Sequence, residues 1–122
     1  MTQQQQKLEA YLVGQAAACR QRGQQLTQDD RADEGNFEKV RANICEIFRA
    51  VLSAAQRVHA GDEALQRSFF LQKAEEIPAA WAAAYEKTRQ NGDAARMHLE
   101  QVKLDAVQEI KTACAQLWEV EK

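Results

Sequence analysis

Gly23-Gln24-Gln25-Leu26-Thr27-Gln28-Asp29-Asp30-Arg31-Ala32-Asp33-Glu34-Gly35-Asn36 holds two rival signals for ending one helix and starting the next. If the stop is Gly35, the acidic run from Asp29 to Glu34 sits at a helix C-terminus, where the backbone dipole repels carboxylates. If the stop is Gly23, Arg20 and Arg22 occupy the last turn and favour that end. Thr27 then opens the next helix, with Asp29 and Asp30 in its first turn and Asp30 at approximate capping-box spacing. The balance of charges places the stop at Gly23 and the start at Thr27. Gly35 falls inside a helix on this assignment, at a cost of about 1 kcal/mol relative to alanine.

Two further breaks are simpler. Gly61-Asp62 and Gly92-Asp93 each pair a glycine, which reaches the left-handed conformation without a Cβ penalty, with an aspartate that can cap the next helix. The segments between these marks all carry helical periodicity. Leu8, Leu12, Gln15, Ala16 and Cys19 form the inner stripe of the first, with Tyr11 at its edge; the glutamine tract before Leu8 is expected to be helical and partly frayed. In the second, Phe37, Val40, Ile44, Ile47, Phe48, Val51, Leu52, Ala55 and Val58 fall within an arc of about 140°. The third contains Leu65, Phe69, Phe70, Ala74, Ile77, Trp81 and Tyr85, but its apolar stripe shifts around Pro78. Proline lacks the N–H that would bond to residue Ala74 and disfavours helical geometry at Ile77, so a kink or split is expected there. The last helix presents Leu99, Val102, Ala106, Ile110, Ala113, Cys114 and Leu117 inward, leaving Met97, Leu104 and Trp118 directed elsewhere.

These patterns specify an all-α fold, a four-helix up-down antiparallel bundle over residues 1–122 as one domain. A chain of 122 residues with 45% hydrophobic and 28% charged residues can bury a core of ordinary size. Its net charge of −2 supplies no general attraction for nucleic acid or an anionic membrane. No apolar run is long enough to span a bilayer, and the first residues lack signal-peptide character, which points to the cytoplasm. Cys19, Cys45 and Cys114 have no metal-ligand spacing; the first and last lie in register with apolar neighbours and Cys45 toward the margin of its stripe.

One cluster could carry chemistry. Projected back from Phe37, the second helix brings Asp30 and Asp33 into its apolar arc, with Glu34 at the edge and Arg41 also inside. Carboxylates in i, i+3 and i+4 relation suit Mg²⁺, which takes one or two carboxylates together with substrate oxygens. Lys103, on the inner face of the last helix, could then meet the acidic end and contact phosphate together with Arg41. Asp29-Asp30-Arg31-Ala32-Asp33 resembles the DDxxD signature of isoprenoid synthases, over five residues of a chain too short for their cavity. In size and in its use of acidic residues, the chain also resembles small helical nucleotide pyrophosphohydrolases of the MazG type. It lacks their paired Glu-x-x-Glu and Glu-x-x-Asp arrangement, and it has no Glu-x-x-His for a di-iron site.

The competing expectation is a non-catalytic interaction or scaffold module, self-associating or binding a protein partner, with no cofactor. Trp81 and Tyr85 among five alanines, together with Trp118, are its candidate partner surface. The Mg²⁺-dependent hydrolase built on Asp30, Asp33 and Glu34 is the alternative.

Overall fold

A computed structural model describes residues 1–118. It contains four helices, α1 (Gln3–Gln28), α2 (Ala32–Val58), α3 (Glu63–Gln90) and α4 (Ala94–Leu117). The order is up-down-up-down. One end of the bundle gathers the starts of α1 and α3 with the ends of α2 and α4, since Thr2 and Trp118 both hydrogen-bond to Glu63. At the other end, near the starts of α2 and α4, the Phe37 and His98 rings pack edge to face at 4.6 Å. The four-helix bundle expected from periodicity is therefore the fold.

The boundary between α1 and α2 corrects the expected one. Gly23 does not stop α1, and Thr27 does not start α2: both lie within α1, which runs on to Gln28. The turn is made at Asp30, which adopts the left-handed conformation at φ 60°. The amide of Arg31 donates to the Leu26 carbonyl at 2.8 Å and that of Asp30 to the Thr27 carbonyl at 3.2 Å. This double bond pattern is a Schellman motif. The end of α3 repeats it, with Asp93 donating to Thr88 at 3.0 Å and Gly92 to Arg89 at 3.2 Å, here with glycine at φ 69°. Aspartate can occupy the left-handed position because its short polar side chain lowers the steric cost, so the stop carries no glycine to mark it.

Gly23 and Gly35 serve a different purpose: they are where α1 and α2 touch. Both are buried. A Cβ on Gly35 would come 2.7 Å from the Gly23 carbonyl oxygen and 2.6 Å from Thr27 Oγ1; one on Gly23 would come 3.0 Å from the Gly35 carbonyl oxygen. The backbones therefore approach closer than any side chain permits. Thr27 Oγ1 donates to the Gly23 carbonyl at 2.9 Å and so fills the remaining space beside the contact.

From this crossing the core extends along both helices. Leu8, Leu12, Ala16 and Cys19 of α1 meet Ala42, Ile44, Cys45, Phe48 and Leu52 of α2, so Cys45 lies in the core rather than at its margin. Phe70 and Ala74 of α3 and Ala106, Val107, Ile110 and Cys114 of α4 complete it. Phe70 packs edge to face on both Phe48, at 5.8 Å, and Trp118, at 6.1 Å. The helix α3 is continuous through Pro78, which is buried within it, so the chain does not split there. Asp62 and Asp93 cap α3 and α4 through their carboxylates, accepting from Leu65 and Arg96 amides at 3.1 Å each.

Because the glycine contact is made of backbone, Gly35→Ala is expected to destabilise the protein by about 2 kcal/mol, the usual scale for overpacking. Gly14, also inside α1, has no atom within 4 Å of a built Cβ among the described residues. Gly14→Ala is therefore expected to stabilise by up to about 1 kcal/mol through helix propensity alone. Urea unfolding of the two variants checks the contrast; equal effects would remove the special status of the crossing.

Candidate functional site

The acidic cluster does not assemble. Asp30 sits in the α1–α2 turn, and Asp33 and Glu34 lie in the first turn of α2; all three are exposed. Glu34 pairs with Arg31. The inward projection failed because it extended the α2 wheel backward through a turn that is not helical. Among the described residues no group of three or more His, Cys, Asp or Glu side chains could hold a metal ion.

Arg41 and Lys103 are engaged elsewhere, and apart from each other. The Arg41 guanidinium reaches from α2 to Glu109 of α4, with one terminal nitrogen 2.9 and 2.7 Å from the two carboxylate oxygens. Burial works against the Arg41 charge, yet the facing Glu109 carboxylate holds its pKa above the ordinary value. The pair borders a cavity of about 10 Å³, also lined by Tyr11, Gln15, Cys19 and Cys45, which is room for a single water. Burial raises the Cys45 thiol to about 11, with Cys19 adding to the effect. It also raises Cys19 and Cys114, and Tyr11 is raised by burial and then by the Glu109 charge. Thiols held protonated in apolar surroundings are poor nucleophiles and poor metal ligands.

Lys103 Nζ lies 3.4 Å from Glu100 Oε1 on the same helix and 5.7 Å from the centre of the Trp81 ring. Glu100 is 5% exposed, and its Oε2 has no hydrogen-bond partner among the described residues. Trp81 is thus partly covered by a cation and packed against the core, while Tyr85 is half-buried, its carbonyl accepting from Thr88 Oγ1 at 2.8 Å. Trp118 corrects the expected partner surface outright. It is 1% exposed, donates its indole N–H to Glu63 Oε1 at 3.0 Å, and accepts from Arg67 Nε at its carbonyl at 2.8 Å.

The densest polar arrangement lies at that same end of the bundle, in the segment expected to fray. Thr2 and Gln5 form a capping box: Gln5 N–H donates to Thr2 Oγ1 at 3.2 Å and Thr2 N–H to Gln5 Oε1 at 2.9 Å. The Gln5 amide is 1% exposed and donates onward to Gln66 Oε1, whose own amide donates to the His59 carbonyl at 2.9 Å. This relay links the start of α1 to the start of α3 and the end of α2. Its signal was present in the spacing: Gln5, Leu8, Leu12, Ala16, Cys19 and Gly23 form one stripe with steps of three and four. Glu100 likewise falls in step with Lys103, Val107, Ile110 and Cys114. Polar residues in core register were passed over because hydrophobicity alone defined the stripes.

Comparison of the chain with family models, curated proteins and solved structures found no match.

Two outcomes follow from these pairings. Lys103→Met leaves Glu100 buried without its cation and is expected to cost about 1–2 kcal/mol, discounted for the partial exposure of Lys103. Combining it with Glu100→Leu should return urea stability close to that of the parent; a double variant as weak as the single one would show that the pair itself is needed. The second outcome concerns pH. Below about 9 the Cys45 thiol is protonated in both states and contributes nothing to pH dependence. As pH rises toward 11 the unfolded thiol ionises while the native one keeps its proton, so stability falls across that window. The decline should be shallower in Cys45→Ala, and parallel curves for the two proteins would contradict the assignment.

Proposed function

We propose that the protein is a non-catalytic interaction module that works in the cytoplasm and associates with itself through one edge of the bundle. The observation that carries this reading is where the large apolar side chains left outside the core lie. Ile47 and Val58 on α2 and Leu65 on α3 are 39%, 57% and 49% exposed. Ile47, Val51, Ala54 and Val58 recur at steps of four, three and four, which is one stripe on the flank of α2. Leu65 and Phe69 stand one turn apart on α3, and Phe69 packs on the His59 ring at 5.8 Å, directly after Val58. The stripe therefore passes from α2 to α3 around their connection. The arc of α2 is wider than its neighbours cover, and the uncovered margin is apolar rather than charged.

Supporting this, the charged groups that could bind phosphate or metal are turned toward other side chains: Arg41 to Glu109, Lys103 to Glu100 and Trp81, Glu34 to Arg31. Three free buried cysteines suit a reducing compartment. No helix among the described residues is long and apolar enough to cross a membrane. An apolar edge of this kind is hidden in soluble proteins by a partner, and a second copy offers the same surface by symmetry.

Light scattering across a concentration series tests the reading. The parent is expected to shift from monomer to dimer with rising concentration, and Ile47→Lys or Leu65→Lys to remain monomeric while melting near the parent temperature. A parent that stays monomeric at the highest soluble concentration would remove self-association.

A further inference from the structure

A second surface, on the opposite seam of the bundle, has the chemistry of a peptide groove. Two depressions of about 460 and 520 Å³ share Met1 and Gln56 and so run into one another. The first follows the α1–α2 seam past Glu9, Glu46, Arg49 and Ser53; the second ends among Gln5, Gly61, Glu63 and Gln66. The lining combines carboxamides, small side chains and carboxylates. Gln56 Nε2, where the two depressions join, is shielded from solvent and has no hydrogen-bond partner among the described residues. A shielded amide donor needs an acceptor, and a peptide carbonyl is one of matching strength.

Charge and length add to this. Glu9, Glu46 and Glu63 line the groove against one guanidinium, Arg49, which lies 3.9 Å from Glu9 and 3.7 Å from Glu46; Arg20 meets Glu46 at 3.4 Å from outside. The carboxylate at Glu63 is bonded only to the Thr2 hydroxyl and the Trp118 indole, both neutral donors. Along α2, the fourteen steps from Glu46 to Ala60 cover roughly 21 Å. About six residues of extended chain span the same distance.

We propose that this groove receives an extended peptide segment bearing basic side chains, with a backbone carbonyl accepting from Gln56 Nε2 and a cationic group near Glu63. The site is separate from the α2–α3 edge, so it stands whether or not the chain associates with itself. It also explains why a carboxamide is kept at position 56 in a place where it is desolvated without being paired.

The test is a titration of the isotopically labelled full chain, followed by amide resonances in two-dimensional NMR. The probe is a capped hexapeptide of alternating alanine and lysine; a hexapeptide of alternating alanine and glutamate and free spermidine are the comparators. Saturable shifts are expected for the Gln56 side-chain amide and for residues bordering the groove, with the lysine peptide alone. Gln56→Leu should weaken binding roughly tenfold, the loss of one shielded hydrogen bond. Glu9→Lys, an exposed rim change, should weaken it with the native spectrum retained, which keeps the test decisive if Gln56→Leu fails to fold. Absence of saturation, shifts confined to the α2–α3 edge, or an equal response to the glutamate peptide would overturn the proposal. Spermidine binding as tightly as the peptide would also overturn it, since charge alone would then account for the affinity.

Discussion

The bundle depends on the backbone contact between Gly23 and Gly35. With no Cβ on either residue, the two helices approach until a carbonyl oxygen of each lies against the glycine of the other. That approach lets the Schellman turn at Asp30 reverse the chain within three residues and return α2 along α1. From Gly23 back to Gln5 is eighteen steps of α1, roughly 27 Å. At that far end Thr2 and Gln5 bind across to Glu63 and Gln66. One helix is therefore anchored at both extremes by specific contacts, and the stripe from Leu8 to Cys19 is held in a single register between them.

The polar residues of the interior follow a consistent rule. Burying an amide or a charge costs several kcal/mol unless it is paired, and almost every such group here finds a partner on another helix or on its own. Gln5 and Gln66 pair with one another, Arg41 with Glu109, and Lys103 with Glu100. These pairs join α1 to α3 and α2 to α4, the relationships that a pattern of small and large hydrophobes specifies least. They give the bundle one arrangement among several with similar burial. The groups left over are an apolar edge on α2 and α3 and a shielded amide at Gln56, and both lie where another chain could reach them.

Helix number, direction and the inner faces of α1 and α4 were legible from periodicity and from the breaks at Gly61-Asp62 and Gly92-Asp93. The α1–α2 boundary was not, because glycine was taken as punctuation at Gly23 when it marks a helix crossing, while Asp30 made the left-handed turn. That single displacement also generated the inward-facing carboxylates, which disappear once the turn is placed between Gln28 and Ala32. Trp118 was misjudged for a related reason. It follows the last residue of α4, so the helical wheel that turned it outward no longer applies, and its indole folds in against Phe70 and Glu63. Side-chain hydrogen bonds between distant helices have no periodic signature, which is why the amide relay at the bundle end was invisible apart from its register.

The most direct measurement of the central contact is the nuclear Overhauser effect between the α-protons of Gly23 and Gly35. A carbonyl-to-glycine approach this close requires strong cross-peaks between them, accompanied by helical chemical shifts from Gly23 through Gln28. Absence of those cross-peaks, with a helix break at Gly23 and a cap at Thr27, would contradict the account.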